Sequence, residues 1–394
     1  MPAIDERLLD DPEHLAACDS RQTLRALATA GAQLREAVTL AHEAGIERVA
    51  GGDRPRSVLV SSLGGSAVVA DILEILAEYG SPVPVGVRRN VPLPGWVGAL
   101  DLVVAVSLSG KAPGPLAVAT EAARRGAHLL TVGAEDSPLA AVCAGARGIH
   151  VGVGRGRISS RTSLWSQVVP LLIAADVLGL ASVPPSALTA TADRLDEVAE
   201  ACRPSSEAFV NPAKVMALQF SETVPVILGD NALSGVAATR AAAMMCRTAR
   251  MPATHGELPD AASQVVATFD GPFTAGGGDG TGWSAPNRDD IFADPFLDGP
   301  AQIGLGLLLM RDAFPEQPTQ GEIDLAALAE GVLQTAYDAG VKVATITAEP
   351  GHPLTRLAGM IAHADFLATY LAIGLRIDPA VSRHITSLRD RTRT

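Results

Sequence analysis

Two short turns rich in serine and glycine hold the groups that could do chemistry in this chain. Gly64-Gly65-Ser66 and Ser107-Leu108-Ser109-Gly110 each follow an apolar run. Hydroxyl and backbone N–H groups in such turns can donate several hydrogen bonds to one anion, and glycine lets the backbone approach a ligand closely. Lys111, directly after the second turn, adds a positive charge. The turns therefore predict a binding site for a small anion such as a phosphate group.

The glycines do not form a nucleotide-binding signature. No Gly-x-Gly-x-x-Gly sequence follows a strand-like run, which argues against a dinucleotide site. Gly110-Lys111 resembles the end of a P-loop, but Ala105 stands where its first glycine belongs and Ala112 where serine or threonine belongs. The sequence therefore favours a phosphorylated metabolite over a nucleotide, and it predicts no cofactor.

The turns lie within an alternation of strand-like and helical segments. Apolar runs rich in β-branched residues and leucine predict strands at 57–62, 84–87, 102–107, 128–132 and 149–153. Helical periodicity predicts helices at 65–79, 115–125 and 137–144. This alternation is typical of βαβ units, so the predicted fold class is α/β with a parallel sheet of about five strands. Both turns then lie at the carboxyl ends of strands, where open α/β sheets bind their ligands.

The second half of the chain repeats the alternation, after helices predicted from 162 to about 202. Strands are predicted at 225–228, 264–269, 303–310 and 341–347, with helices at 234–246, 323–339 and 354–371. We therefore predict N-terminal helices at 1–50, a first domain at 51–203 and a second domain at 204–394. Residues 271–300 are rich in Gly, Asp, Pro and Asn, and are predicted to be an insertion in the second domain.

Composition excludes several classes of partner. A net charge of -12 and a pI near 5.1 argue against nucleic acid and anionic membranes as partners. The four cysteines show no Cys-x-x-Cys spacing, so neither a metal site nor a disulfide framework is predicted. The N-terminus lacks an apolar signal core, and the apolar run 165–180 is broken by Pro170 and Asp176. We expect a cytoplasmic protein in which that run is a buried helix.

Five short motifs, taken together and in their order along the chain, resemble a known protein family, whereas each motif alone is too common to indicate one. They are Leu63-Gly64-Gly65-Ser66, Ser107-Leu108-Ser109-Gly110, Ser160-Arg161-Thr162-Ser163-Leu164, Asn211-Pro212-Ala213-Lys214 and Asp378-Pro379. In this order they resemble the bifunctional phosphoglucose/phosphomannose isomerases, which are built from two sugar isomerase (SIS) domains. The resemblance implies two flavodoxin-like lobes, each with a parallel sheet of about five strands flanked by helices, a homodimer and a hexose 6-phosphate ligand.

The resemblance also implies roles for residues of the first lobe. Gly65, Ser66, Ser107, Ser109 and Arg161 would line the sugar-phosphate site. A guanidinium offers a planar fork of donors that suits phosphate. The family's phosphate loop continues with Asn-Thr-Glu-Glu, whereas this chain continues with lysine, alanine, proline and glycine. One hydroxyl donor is therefore lost and one lysine gained.

The catalytic positions implied by the resemblance carry the wrong residues. Aldose–ketose isomerisation through an enediol needs a base beside the carbonyl carbon and groups that open the sugar ring. The family's glutamate base, histidine and lysine match Arg247, Ser263 and Arg389 here. Arginine does not lose its proton near neutral pH, so Arg247 cannot be the base.

Nearby residues could replace the missing base. His255 and Glu257 lie in a polar segment expected to be a loop, and either side chain can be tuned toward neutral pH. Two functions therefore stay open at this point. One is an isomerase of glucose or mannose 6-phosphate with a rearranged base. The other is a catalytically silent sugar-phosphate-binding protein that acts as a sensor or as a partner of another enzyme.

Overall fold

The computed structural model describes residues 4–157, 159–274 and 303–392. The chain divides into two compact units. The first unit comprises Ala26–Ala199 and Gly351–Ala358, and the second comprises Met1–Arg25, Glu200–Pro350 and Gly359–Thr394. The predicted insertion at 271–300 lies mostly outside the described residues.

The α-helices account for much of the described chain. In order they are α1 Glu6–Asp10, α2 Pro12–Cys18, α3 Thr23–Ala28, α4 Ala30–Glu43, α5 Val68–Glu78, α6 Pro113–Arg124, α7 Pro138–Gly145, α8 Leu164–Val177, α9 Pro185–Ala201, α10 Pro212–Phe220, α11 Ala232–Met244, α12 Ala262–Ala267, α13 Gln320–Asp338, α14 Pro353–Gly374 and α15 Arg383–Thr392.

The first unit is built on a five-stranded parallel sheet, which confirms the predicted fold class. Its strands are β1 Val58–Ser62, β2 Val85–Arg88, β3 Leu102–Ser107, β4 His128–Gly133 and β5 Ile149–Gly152, in the order β2-β1-β3-β4-β5. Every residue of β1 and β3 is buried. Helices therefore cover both faces of these strands, as the unbroken apolar runs require.

The second unit holds a parallel sheet that has four strands within the described residues. These are β6 Thr223–Gly229, β7 Thr254–Glu257, β8 Gly304–Arg311 and β9 Lys342–Thr347, in the order β7-β6-β8-β9. About five strands were expected here. The prediction of a strand at 264–269 was wrong, because this stretch is helix α12 followed by a short 3₁₀ turn. Val265 and Phe269, four residues apart, both pack into the core of the sheet as one helical face.

Two apolar helices are buried as core elements. Helix α8 contains Pro170 and is buried along most of its length, as predicted for the apolar run 165–180. Helix α14 is long and apolar enough to cross a membrane, yet 94% of its most apolar window is buried inside the protein. Burial of this kind is typical of a core helix, which explains its composition without a bilayer.

Candidate functional site

The two serine- and glycine-rich turns lie side by side at one edge of the first sheet. Strand β1 pairs in parallel with β3, and Ser62 is in register with Val106. Neighbouring strands are about 4.8 Å apart, so the turns that follow them are adjacent. The order β2-β1-β3 also makes this the point where the sheet changes winding direction, since the chain continues from β1 to one side and from β3 to the other. Ligands of open α/β sheets bind in the crevice outside such a point.

The 64–66 turn is a single turn of 3₁₀ helix that leads into α5. Gly64 has a φ of 64°, a left-handed conformation that favours glycine. Ser66 is buried and its hydroxyl donates to Gln167 Oε1 at 2.5 Å. The turn is therefore fixed to the first turns of α8.

A loop at 159–163 covers Gly65. A Cβ atom on Gly65 would lie 2.2 Å from Ser160 Oγ and 3.7 Å from Arg161 Cγ. Glycine is therefore required here by the packing of this loop, and the stem of Arg161 lies over the 64–66 turn. The structure thus brings together Gly65 and Arg161, which are far apart in the sequence.

The turn that follows β3 is held by its own hydroxyl groups. Ser107 Oγ accepts from the Ala112 N–H and Ser109 Oγ accepts from the Lys111 N–H, both at 3.3 Å. Each hydroxyl keeps an O–H that can donate to a ligand. Gly110 has a φ of 63° and packs against Ser137, where a Cβ would lie 2.1 Å from Ser137 Oγ. Glycine is therefore needed at position 110 by the backbone conformation and packing of the turn, and not by contact with a ligand.

Helix α6 begins next to this turn with an unusual first turn. Pro113 and Pro115 carry no N–H, so Gly114 supplies the N–H among the first three helical residues. A Cβ on Gly114 would lie 2.2 Å from Leu63 Cδ1, which places the start of α6 against the segment after β1. Lys111 is exposed beside it. The helix contributes fewer donors than usual here, and the lysine adds a positive charge.

We call these three segments, 63–66, 107–114 and 159–163, the cradle. All of them belong to the first unit. Together they carry hydroxyl groups, backbone N–H groups, the Arg161 side chain and the Lys111 side chain in segments that adjoin the carboxyl ends of β1 and β3. Charge-assisted hydrogen bonds of this kind suit a phosphate dianion.

Sequence reasoning missed Gln167 and Gln33 as supports of the cradle. Gln167 is fully buried and joins Ser66 to the loop, because its Nε2 donates to the Ser163 carbonyl at 2.9 Å. Gln33, on α4, is also buried and donates to the Thr162 carbonyl at 2.9 Å. A glutamine inside the apolar run 165–180 was a signal that could have identified Gln167, since buried amides need partners.

The candidate bases lie in the second unit, on a strand and not in the expected loop. His255 and Glu257 belong to β7, an edge strand parallel to β6, and both are exposed. Two residues apart on a strand, they share a face. His255 Nδ1 lies 3.4 Å from Thr239 Oγ1, and a Cβ on Gly235 would lie 2.4 Å from Glu257 Oε2. Both side chains therefore face α11.

The residues at the family's catalytic positions also belong to the second unit. Arg247 lies in a π-helical turn at the end of α11, where burial, followed by the charge of Arg240, lowers its pKa. Arg240 itself makes a bidentate, buried ion pair with Asp365. Ser263 lies in α12, and Arg389 lies in α15.

The corresponding edge of the second sheet carries carboxylates. The turn after β6 contains Asp230 and the turn after β8 contains Asp312, whose backbone N–H donates to Asp230 at 3.0 Å. Asn231 Nδ2 donates to Asp312 Oδ2 at 3.1 Å. Burial raises the pKa of Asp230. The carboxyl ends of the strands in the second sheet therefore present hydrogen-bond acceptors, whereas the same ends in the first sheet present hydrogen-bond donors.

Comparison with known proteins identifies the second unit. Residues 209–392 match the model of the bacterial phospho-glucose isomerase C-terminal SIS domain. A bifunctional phosphoglucose/phosphomannose isomerase of Caldicellulosiruptor bescii is 27% identical over 198 residues, which are 50% of this chain and 57% of that protein. The match thus spans little more than half of the relative's length.

Solved structures of low sequence identity share the fold. A hypothetical protein of Thermus thermophilus has a TM-score of 0.65 at 14% identity, covering 98% of this chain and 94% of its own. The C-terminal domain of a glucosamine-fructose-6-phosphate aminotransferase from Francisella tularensis gives 0.59 at 12% identity, covering 89% and 95%. A glucose-6-phosphate isomerase from Chlamydia trachomatis gives 0.61 at 12%, covering 91% and 72%. These likenesses show that both sheets belong to an SIS-type fold. The domain match assigns residues 209–392 to the SIS domains, and about half of the chain is similar to a relative named as a bifunctional phosphoglucose/phosphomannose isomerase.

Proposed function

We propose that this protein binds a hexose 6-phosphate in the cradle and interconverts the aldose and ketose forms of that sugar. The observation that carries the proposal is the convergence of three segments at the winding change of the first sheet. There, Arg161 lies over Gly65, beside the turn with Ser107 and Ser109. Convergent donors at such an edge favour an anionic ligand.

The cradle supplies the chemistry that a phosphate monoester needs. Ser107 and Ser109 use their oxygens to accept from backbone N–H groups of their own turn, and their O–H groups can donate to phosphate oxygens. The guanidinium of Arg161 can donate two parallel bonds to phosphate. Gly64, Gly65 and Gly110 fix the turns that carry these donors. We include Ser66 and Lys111 in the same site.

Isomerisation further needs a base that removes the proton next to the carbonyl group. We propose Glu257 for this role, with His255 as the neighbouring group that takes the proton of the anomeric hydroxyl and delivers it to the ring oxygen as the sugar ring opens. Glu257 is an exposed carboxylate at the carboxyl end of β7, whereas Arg247 is a cation that cannot accept a proton. The similarity to a Caldicellulosiruptor bescii protein named as an isomerase supports an active enzyme over a silent binder.

Binding is tested by titrating the protein with glucose 6-phosphate, fructose 6-phosphate and mannose 6-phosphate in a calorimeter. We expect saturable binding of at least one sugar phosphate, and a loss of affinity of more than tenfold when Ser107 and Ser109 are both changed to alanine, since two charge-assisted bonds are lost (about 1.5–3 kcal/mol each). Absence of binding to all three ligands would refute the proposal.

Catalysis is tested by a coupled assay of interconversion. We expect Glu257→Gln to abolish turnover while leaving the affinity for glucose 6-phosphate unchanged, and Arg247→Gln to keep turnover. Binding without turnover in the unaltered protein would instead identify a sugar-phosphate sensor or partner protein.

We also propose that the protein is a cytoplasmic homodimer with no nucleic-acid or membrane partner. Its acidic composition supports the absence of polyanionic partners. Light scattering during gel filtration tests the assembly, and we expect twice the 40.5 kDa mass of one chain. A mass equal to one chain would refute the dimer.

A further inference from the structure

Gln167 connects two parts of the cradle that lie far apart in the sequence. Its side chain is fully buried at the start of α8. Gln167 Oε1 accepts from the Ser66 hydroxyl at 2.5 Å, and Gln167 Nε2 donates to the Ser163 carbonyl at 2.9 Å. One amide therefore ties the 64–66 turn to the end of the 159–163 loop.

The orientation of this amide is fixed by its partners. The Ser163 carbonyl can only accept, so the NH₂ group must face it and the amide oxygen must face Ser66. Since the amide is inaccessible to water, neither bond can be replaced by solvent. Loss of the amide would leave the buried Ser163 carbonyl and Ser66 hydroxyl without these partners, at a cost that favours rearrangement of the loop.

A second buried glutamine holds the middle of the same loop. Gln33 Nε2 donates to the Thr162 carbonyl at 2.9 Å and to the Ala26 carbonyl at 3.1 Å. The carbonyl groups of two consecutive loop residues are thus held by amides from two different helices, α4 and α8. Arg161 precedes these two residues directly, so its backbone position depends on them.

We propose that Gln167 is a positioning residue for the phosphate-binding groups of the cradle. It would set the distance between the Arg161 side chain and the 64–66 turn without touching the ligand. This inference rests on the proposed binding of a hexose 6-phosphate.

The variant Gln167→Glu provides the sharpest test. A protonated carboxyl group has one O–H donor and one carbonyl acceptor, so it can reproduce both bonds of the amide. A carboxylate can only accept and would repel the Ser163 carbonyl. We therefore expect Gln167→Glu to bind glucose 6-phosphate about tenfold more weakly than the unaltered protein at about pH 8, and to approach its affinity at about pH 5. Comparing the two proteins at each pH cancels the titration of the ligand itself.

Two further variants separate positioning from general destabilisation. Gln167→Met removes both bonds at every pH, so its affinity should stay low at both. Thr191→Val removes a buried hydroxyl of the same unit that bonds the Ala187 carbonyl and Thr355, away from the cradle. It should lower the melting temperature and leave the affinity unchanged.

The outcomes distinguish this inference from the proposed function. If the unaltered protein binds no hexose phosphate, both are overturned. If it binds, but the affinity ratio of Gln167→Glu to the unaltered protein is the same at both pH values, the positioning role alone is overturned. Should Gln167→Met fail to fold, the pH dependence of Gln167→Glu still decides the question.

Discussion

At the scale of single residues, the two prolines of α6 reduce the number of backbone donors in the cradle, and the positive charge of Lys111 can compensate for this loss. Pro113 and Pro115 remove two N–H donors from the first helical turn, and Lys111 is one of only three lysines in the chain. An ammonium group can supply the missing positive charge, although as a point charge and not as a directed fork.

We expect Lys111→Met to weaken binding of glucose 6-phosphate about tenfold, since a charge-assisted contact contributes about 1.5–3 kcal/mol. Calorimetric titration at two ionic strengths measures this, and the variant should depend less on salt. Lys342→Met is the matched control, because Lys342 pairs with Glu222 in the second unit. Equal affinity of the Lys111 variant and the unaltered protein would exclude Lys111 from the site.

Gly65 packs against the 159–163 loop. A Cβ at this position would lie 2.2 Å from Ser160 Oγ, a distance that real Cβ atoms do not show, so the loop must move. We expect Gly65→Ala to weaken glucose 6-phosphate binding by about tenfold and to speed tryptic cleavage after Arg161, which mass spectrometry can follow.

Gly52→Ala is the control for that experiment. Gly52 belongs to the same unit, and nothing lies within 4 Å of a Cβ placed on it. The control should match the unaltered protein in both measurements. If Gly65→Ala also matches it, the loop does not depend on this contact.

At the scale of elements, the two sheets differ in the charge at their corresponding edges. The first sheet presents donors and cations there, whereas the second presents Asp230 and Asp312. Carboxylates repel a phosphate dianion. We therefore expect one hexose phosphate per chain in calorimetry, and a stoichiometry of two would show that the second edge also binds an anion.

Asp230 makes the stability of the second unit depend on pH. Burial raises its pKa above the ordinary value, so the folded state holds this proton more tightly than the unfolded state does. The stabilisation from this proton is full below the unfolded pKa and is lost as the pH rises through the folded pKa. At neutral pH the buried carboxylate therefore costs stability.

We expect Asp230→Asn to melt at a higher temperature than the unaltered protein at about pH 7.5, and the difference to shrink as the pH falls toward about 4. Asparagine removes the charge and keeps an oxygen that can accept from the Asp312 N–H. Asp324→Asn, on the exposed side of α13, is the control and should show no such trend. A constant difference across this pH range would contradict the argument.

At the scale of the whole molecule, the N-terminal segment belongs to the second unit although the first unit follows it in the chain. Lys214 of α10 is fully buried and donates to Asp10 at 2.9 Å and to the Pro204 and Ser206 carbonyls. Asp10 also accepts from the Ala208 N–H at 3.1 Å. The N-terminal segment is thus anchored by an ion pair between a buried ammonium group and a partly exposed carboxylate.

We expect Asp10→Ala to lower the free energy of unfolding by about 1.5–3 kcal/mol, because it leaves the buried ammonium group without its counter-charge, while solvent already screens the partly exposed carboxylate. Urea denaturation followed by circular dichroism measures the change. Glu13→Ala, exposed in the same segment, should stay within about 0.5 kcal/mol of the unaltered protein. An equal effect of both changes would show that the pair does not anchor the segment.

The fold class could be predicted because strands and turns have recognisable patterns over a few consecutive residues. The apolar runs that became β1 and β3 are buried at every residue, and the turns after them break at glycine and serine. Such signals depend on residues within a few positions of each other. The stretch 264–269 shows the limit, since its β-branched residues favour a strand while its packing four residues apart makes it a helix.

The sequence by itself therefore determined the alternation of strands and helices and the serine-rich turns that could donate to an anion. Tertiary structure alone decided that β1 lies beside β3, that Ser160 and Arg161 cover Gly65, and that Gln167 joins Ser66 to Ser163. The same is true of β7, whose polar residues became a strand by pairing with β6. The reason is physical: these contacts join residues far apart in the chain, and their energy depends on which elements pack together rather than on the periodicity of any one of them.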